Sequence, residues 1–202
     1  MGYYQAGFEV VGVDIKPQPH YPFEFHQADA LTYPLNGFDA YHASSPCQGY
    51  VDRNCKRETK HPKLIEPVRE CLEKIGKPFV IENVYKAPLK ATLMLCGTMF
   101  NLKVIRHRYF EFNFSGPMSP YTCNHKGTVA NGDFVGVYIG GYHAPTLPDG
   151  TRPFAKEADI NTWSEAMGIN WMKYKSELKE AIPPVYTEYI GKFLIKEIAG
   201  RW

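Results

Sequence analysis

The chain has no long apolar run: nothing in its 202 residues approaches the ~20 consecutive apolar residues that a bilayer span requires. Its start, MGYYQAGFEV, has no basic flank leading into an apolar stretch. Both absences speak against a membrane or secreted location, so a cytoplasmic protein is expected. No C-x-x-C pair occurs among the five cysteines, at 47, 55, 71, 96 and 123, and a chain of this size does not need disulfides, so reduced thiols are expected. Cys123 and His125 stand close together, but no matching pair lies nearby to complete a four-ligand set, and no metal is expected. Net charge is scant too. At +2, with pI ≈ 8.2, bulk charge neither demands nor forbids a polyanionic partner, and any nucleic-acid signal has to be local. What is present in quantity is core material: 44% hydrophobic and 14% aromatic residues exclude wholesale disorder and suit one globular domain with at most a small appendage.

Strand and helix signals alternate through the first half. Residues 9–15 (EVVGVDI) form a β-branched run between Gly7 and Pro17, which predicts a buried strand ending near Asp14. A weaker strand at 39–44 (DAYHAS) runs into the turn Ser45-Pro46. From Pro62 to Ile75, Leu64, Ile65, Val68, Cys71, Leu72 and Ile75 recur at helical spacing while Lys63, Glu66, Arg69, Glu70, Glu73 and Lys74 take the other face. Pro62 suits the first turn of that helix and Gly76 its stop. The run 78–84 (PFVIENV) predicts another strand, finishing in Glu82-Asn83. Strand, helix, strand at these lengths implies a parallel β-α-β unit and an α/β sheet, in which ligands gather at the carboxyl ends of strands. Asp14, the Ser45-Pro46-Cys47-Gln48 turn and Glu82-Asn83 all fall there, although strand ends are also polar simply because they meet water.

From Ser115 to Asp149 the chain is rich in Gly, Pro, Tyr and Asn, with one expected strand at 134–139. Such an irregular excursion often carries specificity in an enzyme. Helices return afterwards, one capped by Thr162 with Glu165 and ended by Gly168, and a last one following Pro183-Pro184.

Cys47, just past a strand, can be an exposed and activatable thiol, although cysteines are more often inert core residues. Glu82 at a second strand end would have its pKa raised by partial burial and could hold or donate a proton. Arg106 and Arg108 would point to one side of an extended segment. Between Asp52 and Lys63, the cations Arg53, Lys56, Arg57, Lys60 and Lys63 stand against only Asp52 and Glu58, a composition suited to phosphate contact or to a solvated loop. Asp14 and Asp29 serve equally as turn and cap residues.

The ordered set Asp14, Asp29, Pro46-Cys47-Gln48, Glu82-Asn83-Val84 and Arg106-x-Arg108 resembles the motif series of DNA cytosine-5 methyltransferases, particularly the small forms carried by bacteriophages. The phage-like flavour comes from residues 14–23 (DIKPQPHYPF) and 95–100 (LCGTMF). The likeness spans most of the chain, and it is the order of the set, not any single tripeptide, that is specific. It implies a Rossmann-like, mostly parallel sheet with flanking helices, formed by residues 1–111 and 160–202, and a small target-recognition region at 112–159. It further implies S-adenosyl-L-methionine as cofactor, and double-stranded DNA with a flipped cytosine as partner. Acting as a monomer in a bacterial or phage-infected cell, the protein would serve restriction-modification or phage self-protection.

Residue by residue, the resemblance makes Cys47 the nucleophile that adds to carbon 6 of the base. Glu82 becomes the carboxyl on its nitrogen 3 and 4 edge, Arg108 the group that orients base and glutamate, and Arg106 a support for the nucleophile loop. Asp14 would hold the ribose hydroxyls, Ile15 would lie against adenine and Asp29 would accept from its amino group, with Ala30 and Pro46 also on the cofactor side. Gln48, Arg53, Lys56, Arg57 and Lys60 would face DNA. The family's first strand and glycine-rich turn, roughly two to three dozen residues, should precede Gly2, so a domain incomplete at its start is expected. At the other end, Lys179-Glu180 stand where a Gly-Asn pair is usual. Two alternatives remain open: a catalytically silent DNA-binding fragment, and a pyrimidine carbon-5 enzyme acting on nucleotides or RNA, since thiolate addition to carbon 6 is shared chemistry.

Overall fold

A computed structural model describes residues 1–50, 61–138, 142–143, 146, 148–152 and 154–200. Among them the elements run α1 (Gly2–Gln5), β1 (Val11–Asp14), β2 (Glu24–Gln27), β3 (Tyr41–Ser44), a 3₁₀ turn (Cys47–Gly49) and α2 (Ile65–Ile75). There follow β4 (Phe79–Asn83), β5 (Leu93–Leu95), a second 3₁₀ turn (Gly97–Phe100), β6 (Arg108–Phe112), β7 (Tyr142–His143) and β8 (Phe154–Ala155). The chain closes with α3 (Ile160–Met167), α4 (Lys175–Leu178) and α5 (Pro184–Ile198). The class is mixed α/β. β1 and β2 form a parallel pair, β3-β4-β6-β5 a four-stranded mixed sheet, and β7 and β8 a short antiparallel ribbon. Within the larger sheet β3 and β4 run parallel, joined through α2, while β6 is antiparallel to both β4 and β5. None of the helices formed by the described residues is long and apolar enough to cross a membrane.

β4 is buried along its whole length, which is why its sequence is a continuous apolar run rather than an alternation. Phe79 and Ile81 pack with Ile65 and Leu72 of α2, and Val80 packs on the opposite side with Phe110, Tyr186 and Ile190. Because side chains alternate across a strand, Glu82 lies on the Val80 side, toward β6 and α5. A further cluster gathers Val104 and Val137 with Trp163, Met167 and Leu178 of the C-terminal helices. α1 lies tightly on α5: a Cβ on Gly2 would come within 2.0 Å of the Pro184 carbonyl oxygen, and one on Gly191 within 2.6 Å of the Ala6 Cβ. Only glycine permits that approach, and it fixes Tyr3 beside β3.

Several local expectations need correction. Arg69, assigned to the solvent face of α2, is 1% exposed. Its Nε meets Glu111 Oε1 of β6 at 2.6 Å, one Nη donates to Glu111 Oε2 at 2.8 Å and to the Pro88 carbonyl at 2.7 Å, and the other pairs with Glu66. A guanidinium with that many fitted acceptors can be buried where a lysine could not. The first-turn proline of α2 is Pro67, not Pro62, while Gly76 does end the helix in a left-handed conformation at φ 69°. The α3 cap is Asp159, whose carboxylate accepts from the Asn161 and Thr162 amides, rather than Thr162 itself. Residues 134–138 of the expected strand are not in a ladder; Val135 makes one backbone bond to Lys103 instead.

Removing Arg69 would strand Glu111 uncompensated between α2 and β6. Arg69→Ala is therefore expected to lower stability by about 3–5 kcal/mol, read by urea unfolding. A loss below about 1 kcal/mol, the range of an exposed ion pair, would show that this network does not stabilise the joint.

Candidate functional site

The carboxyl ends of β3 and β4 lie side by side, since Ser44 pairs with Glu82 in parallel register. Beyond Ser44 the chain turns through Pro46 into the 3₁₀ turn that carries Cys47 and Gln48. Cys47 is partly exposed there, and Pro46 and Gln48 are exposed. The turn is tied to the neighbouring strand by Asn83: its Nδ2 donates to the Ser45 carbonyl at 2.8 Å, and its Oδ1 accepts from the Val84 amide at 3.0 Å. Asn83 is buried, so this tie is shielded from water. Nothing in the isolated tripeptide Glu82-Asn83-Val84 indicates that its middle residue positions the cysteine turn.

Glu82 is only 6% exposed. Opposite it on β6 stands Phe110, and Arg108, two residues earlier on the same face, is its diagonal neighbour. Arg108 Nε lies 3.1 Å from Glu82 Oε1, and an Arg108 Nη donates to the His107 carbonyl at 2.8 Å. Burial pushes the Glu82 carboxyl above its ordinary range, and Arg108, the Ser44 hydroxyl and Arg106 pull part of the way back. A second chain of contacts reaches Glu82 from behind. The Tyr3 hydroxyl is 2.8 Å from His42 Nδ1, and His42 Nε2 is 2.9 Å from Ser44 Oγ. Burial holds His42 neutral, its pKa pushed down to about 4. When Ser44 donates to ionised Glu82, it must accept from His42 Nε2–H, and His42 Nδ1 then accepts from Tyr3. The donors of this chain all point toward the glutamate.

The raised pKa has a consequence for stability. The folded state holds the Glu82 proton more tightly than the unfolded chain does, so the resulting stabilisation is complete below the ordinary carboxyl range and is lost as pH rises through the raised value. Thermal unfolding followed upward in pH from the ordinary carboxyl range is expected to show wild type losing stability relative to Glu82→Gln. Parallel curves for the two proteins would contradict the assignment.

Arg106 does not join the cysteine turn, the support role expected of it. It is buried, an Nη donates to the Lys179 carbonyl, and its own carbonyl accepts from the Tyr186 hydroxyl at 2.7 Å. Arg106 thus fastens the approach to β6 onto the C-terminal helices. Burial and the neighbouring Arg108 bring its pKa down to about 10. Its Nε is enclosed without a hydrogen-bond partner.

Asp14 ends β1 and Asp29 lies two residues past the end of β2, its parallel neighbour. Asp14 accepts from the Lys16 amide at 2.8 Å and from Gln18 Nε2 at 3.2 Å, and Asp29 accepts from the Leu31 amide at 3.0 Å. Both therefore do the work of turn residues, and as carboxylates with about four acceptor sites each they retain capacity for more. Ile15 is 68% exposed beside Asp14, and Ala30 is exposed beside Asp29. Arg53, Lys56, Arg57 and Lys60 lie outside the described residues. A cleft of about 950 Å³ between Met1, Gln5, Ser164, Gly168 and Trp171 includes none of the residues above.

Half of one grouping is visible in the sequence and half is not. The expectation that Cys123 and His125 lack partners is overturned: Cys96 and His107 join them, with the four ligand atoms all within 4.8 Å of one another. No protein-family model matches the chain, and no curated protein matches it.

Proposed function

We propose that this chain is an S-adenosylmethionine-dependent DNA methyltransferase acting on carbon 5 of cytosine. The observation that carries the reading is the meeting of the Cys47 turn and buried, arginine-bridged Glu82 at the carboxyl ends of two neighbouring parallel strands. A thiol and a proton-holding carboxyl on adjacent strand ends are the two groups that addition to a pyrimidine ring requires.

The reacting cytosine has to leave the duplex to reach them. Cys47, as thiolate, adds to carbon 6, and the electron pair displaced from the carbon 5–carbon 6 bond makes carbon 5 nucleophilic. Glu82 places its proton on nitrogen 3 as charge develops there, and Arg108 keeps the carboxyl aimed at that edge. S-adenosylmethionine supplies the methyl group, leaving as S-adenosylhomocysteine. Once carbon 5 is methylated its proton departs to a base, the carbon–sulfur bond breaks to regenerate the thiolate, and Glu82 recovers its proton. Asn83 holds the nucleophile turn through the Ser45 carbonyl.

For the cofactor, acidic groups after two adjacent parallel strands and an exposed isoleucine between them suit a ribose diol, an adenine amino group and an adenine face. Asp14, Asp29 and Ile15, with Ala30 and Pro46 alongside, would provide those contacts. The strand arrangement also supports the Rossmann-like part of the proposal. β1 and β3 each have one hydrogen-bonded neighbour among the described residues, and two such separate parallel edges are what remains when a central strand is taken from one sheet. DNA would lie over Gln48 and the basic segment that follows it. Incubation of the protein with duplex DNA and cofactor labelled in the methyl group is expected to yield labelled 5-methylcytosine. Label on another base, or on RNA or free nucleotide in preference to duplex DNA, would contradict the proposal.

The same separation of β1-β2 from the larger sheet favours one second reading, a DNA-binding chain that does not retain cofactor. Calorimetric titration separates the two: micromolar cofactor binding supports the enzyme, and DNA binding without cofactor binding supports the silent form.

A further inference from the structure

We propose that Cys96, His107, Cys123 and His125 form a structural zinc site. Cys96 follows β5 and is fully buried, His107 immediately precedes β6, and Cys123 and His125 come from the irregular segment after it. Cys96 Sγ lies 3.3 Å from His125 Nε2, and Cys123 Sγ lies 3.6 Å from His107 Nε2. With Zn–S near ~2.3 Å and Zn–N near ~2.0–2.1 Å, tetrahedral ligands stand roughly 3.3–3.8 Å apart. The sulfur–nitrogen pairs already meet that spacing, and the whole set closes within 4.8 Å.

Two sulfurs and two imidazoles in a tetrahedral set favour zinc over oxygen-preferring cations, and four protein ligands leave no open position for substrate. The role is therefore structural. The ligand shell is itself supported: Thr98 Oγ1 is 3.3 Å from Cys96 Sγ and accepts from the Asn124 amide at 3.2 Å, linking a ligand on one segment to the turn carrying two others. The ion would fasten the excursion after β6, which has little regular structure of its own, to the edge of the sheet. It would also fix the backbone between Arg106 and Arg108, because His107 lies between them and its carbonyl accepts from Arg108. The site stands independently of the methyltransferase reading, since its four ligands are none of the residues given a catalytic, cofactor or DNA contact there.

Elemental analysis of the full-length protein, purified under reducing conditions from zinc-supplemented cells, is expected to give about one zinc per chain, as a closed four-ligand site requires. Cys123→Ser and His125→Ala should each reduce that content about tenfold or more, whereas Cys71→Ala, on α2, should leave it unchanged. Should either ligand variant fail to fold, the wild-type protein loaded with cobalt provides the second measurement: intense tetrahedral d–d absorption together with thiolate-to-cobalt charge transfer is expected. Zinc-free, folded wild-type protein, weak octahedral cobalt bands, a Cys96–Cys123 disulfide seen by mass spectrometry, or full zinc content in both ligand variants would overturn the site. Metal content is read without any assay of methyl transfer, so failure here and failure of the proposed activity are distinguishable.

Discussion

Cys47→Ser is expected to lower methyl transfer to duplex DNA by at least about 10³-fold, because it removes the thiolate on which the proposed covalent step depends. A serine hydroxyl is a far weaker nucleophile than a thiolate at neutral pH, and activation would need a general base beside it. Asn83, which donates to the Ser45 carbonyl, and exposed Pro46 and Gln48 supply no base, and the Glu82 carboxyl is engaged by Arg108 and Ser44. Fold and DNA binding should survive, since the side chain is partly exposed and the turn is held through the backbone. Single-turnover methylation together with DNA affinity measures this directly. Retained activity in Cys47→Ser would mean that the chemistry lies elsewhere.

Glu82→Gln is expected to reduce the chemical step by about 10²–10⁴-fold, the usual contribution of a positioned acid. Glutamine keeps the shape but cannot deliver a proton to nitrogen 3. Arg108→Ala should have a smaller effect in the same direction, since Arg108 acts through the 3.1 Å contact that aims the carboxyl. The two losses are not expected to add: once glutamine replaces the acid, removing its arginine should cost little more. Rates for the single and double variants under single-turnover conditions provide the check. Fully multiplicative losses would show that Arg108 and Glu82 act separately.

Much of the framework was legible in local pattern. β1 and β4 announce themselves through β-branched or continuous apolar runs, β3 only weakly and by the Ser45-Pro46 turn that follows it, α2 through its helical spacing and α5 through the Pro183-Pro184 start. The mixed α/β class and the strand-end positions of Asp14, Cys47 and Glu82 follow from those elements. What escaped depends on partners distant in the chain. Arg69 reads as a surface residue because Glu111, the reason it can be buried, is 42 residues away. β2 is too mixed in character and β5 too short to stand out, and their pairing is fixed by neighbours rather than by propensity. The Cys/His cluster draws on three separate segments without a repeated spacing, so only folding reveals it. Arg106 and Arg108 share an alternation and both act on Glu82, but the hydrogen bond that holds Arg106 goes to the Lys179 carbonyl, a partner 73 residues away. Asn83, an amide at the end of a buried strand, needs a partner across the sheet, but which partner it takes is set by the fold and not by its own tripeptide.

The most direct test of the central claim is a covalent trap. Duplex DNA carrying 5-fluorocytosine, incubated with the protein and S-adenosylmethionine, should yield a stable protein–DNA adduct, because fluorine blocks the final loss from carbon 5 and the carbon–sulfur bond persists. Peptide mapping is expected to locate the modification on Cys47, with the methyl group already transferred. An adduct on Cys55, Cys71 or another residue, or adduct formation by Cys47→Ser, would contradict the account.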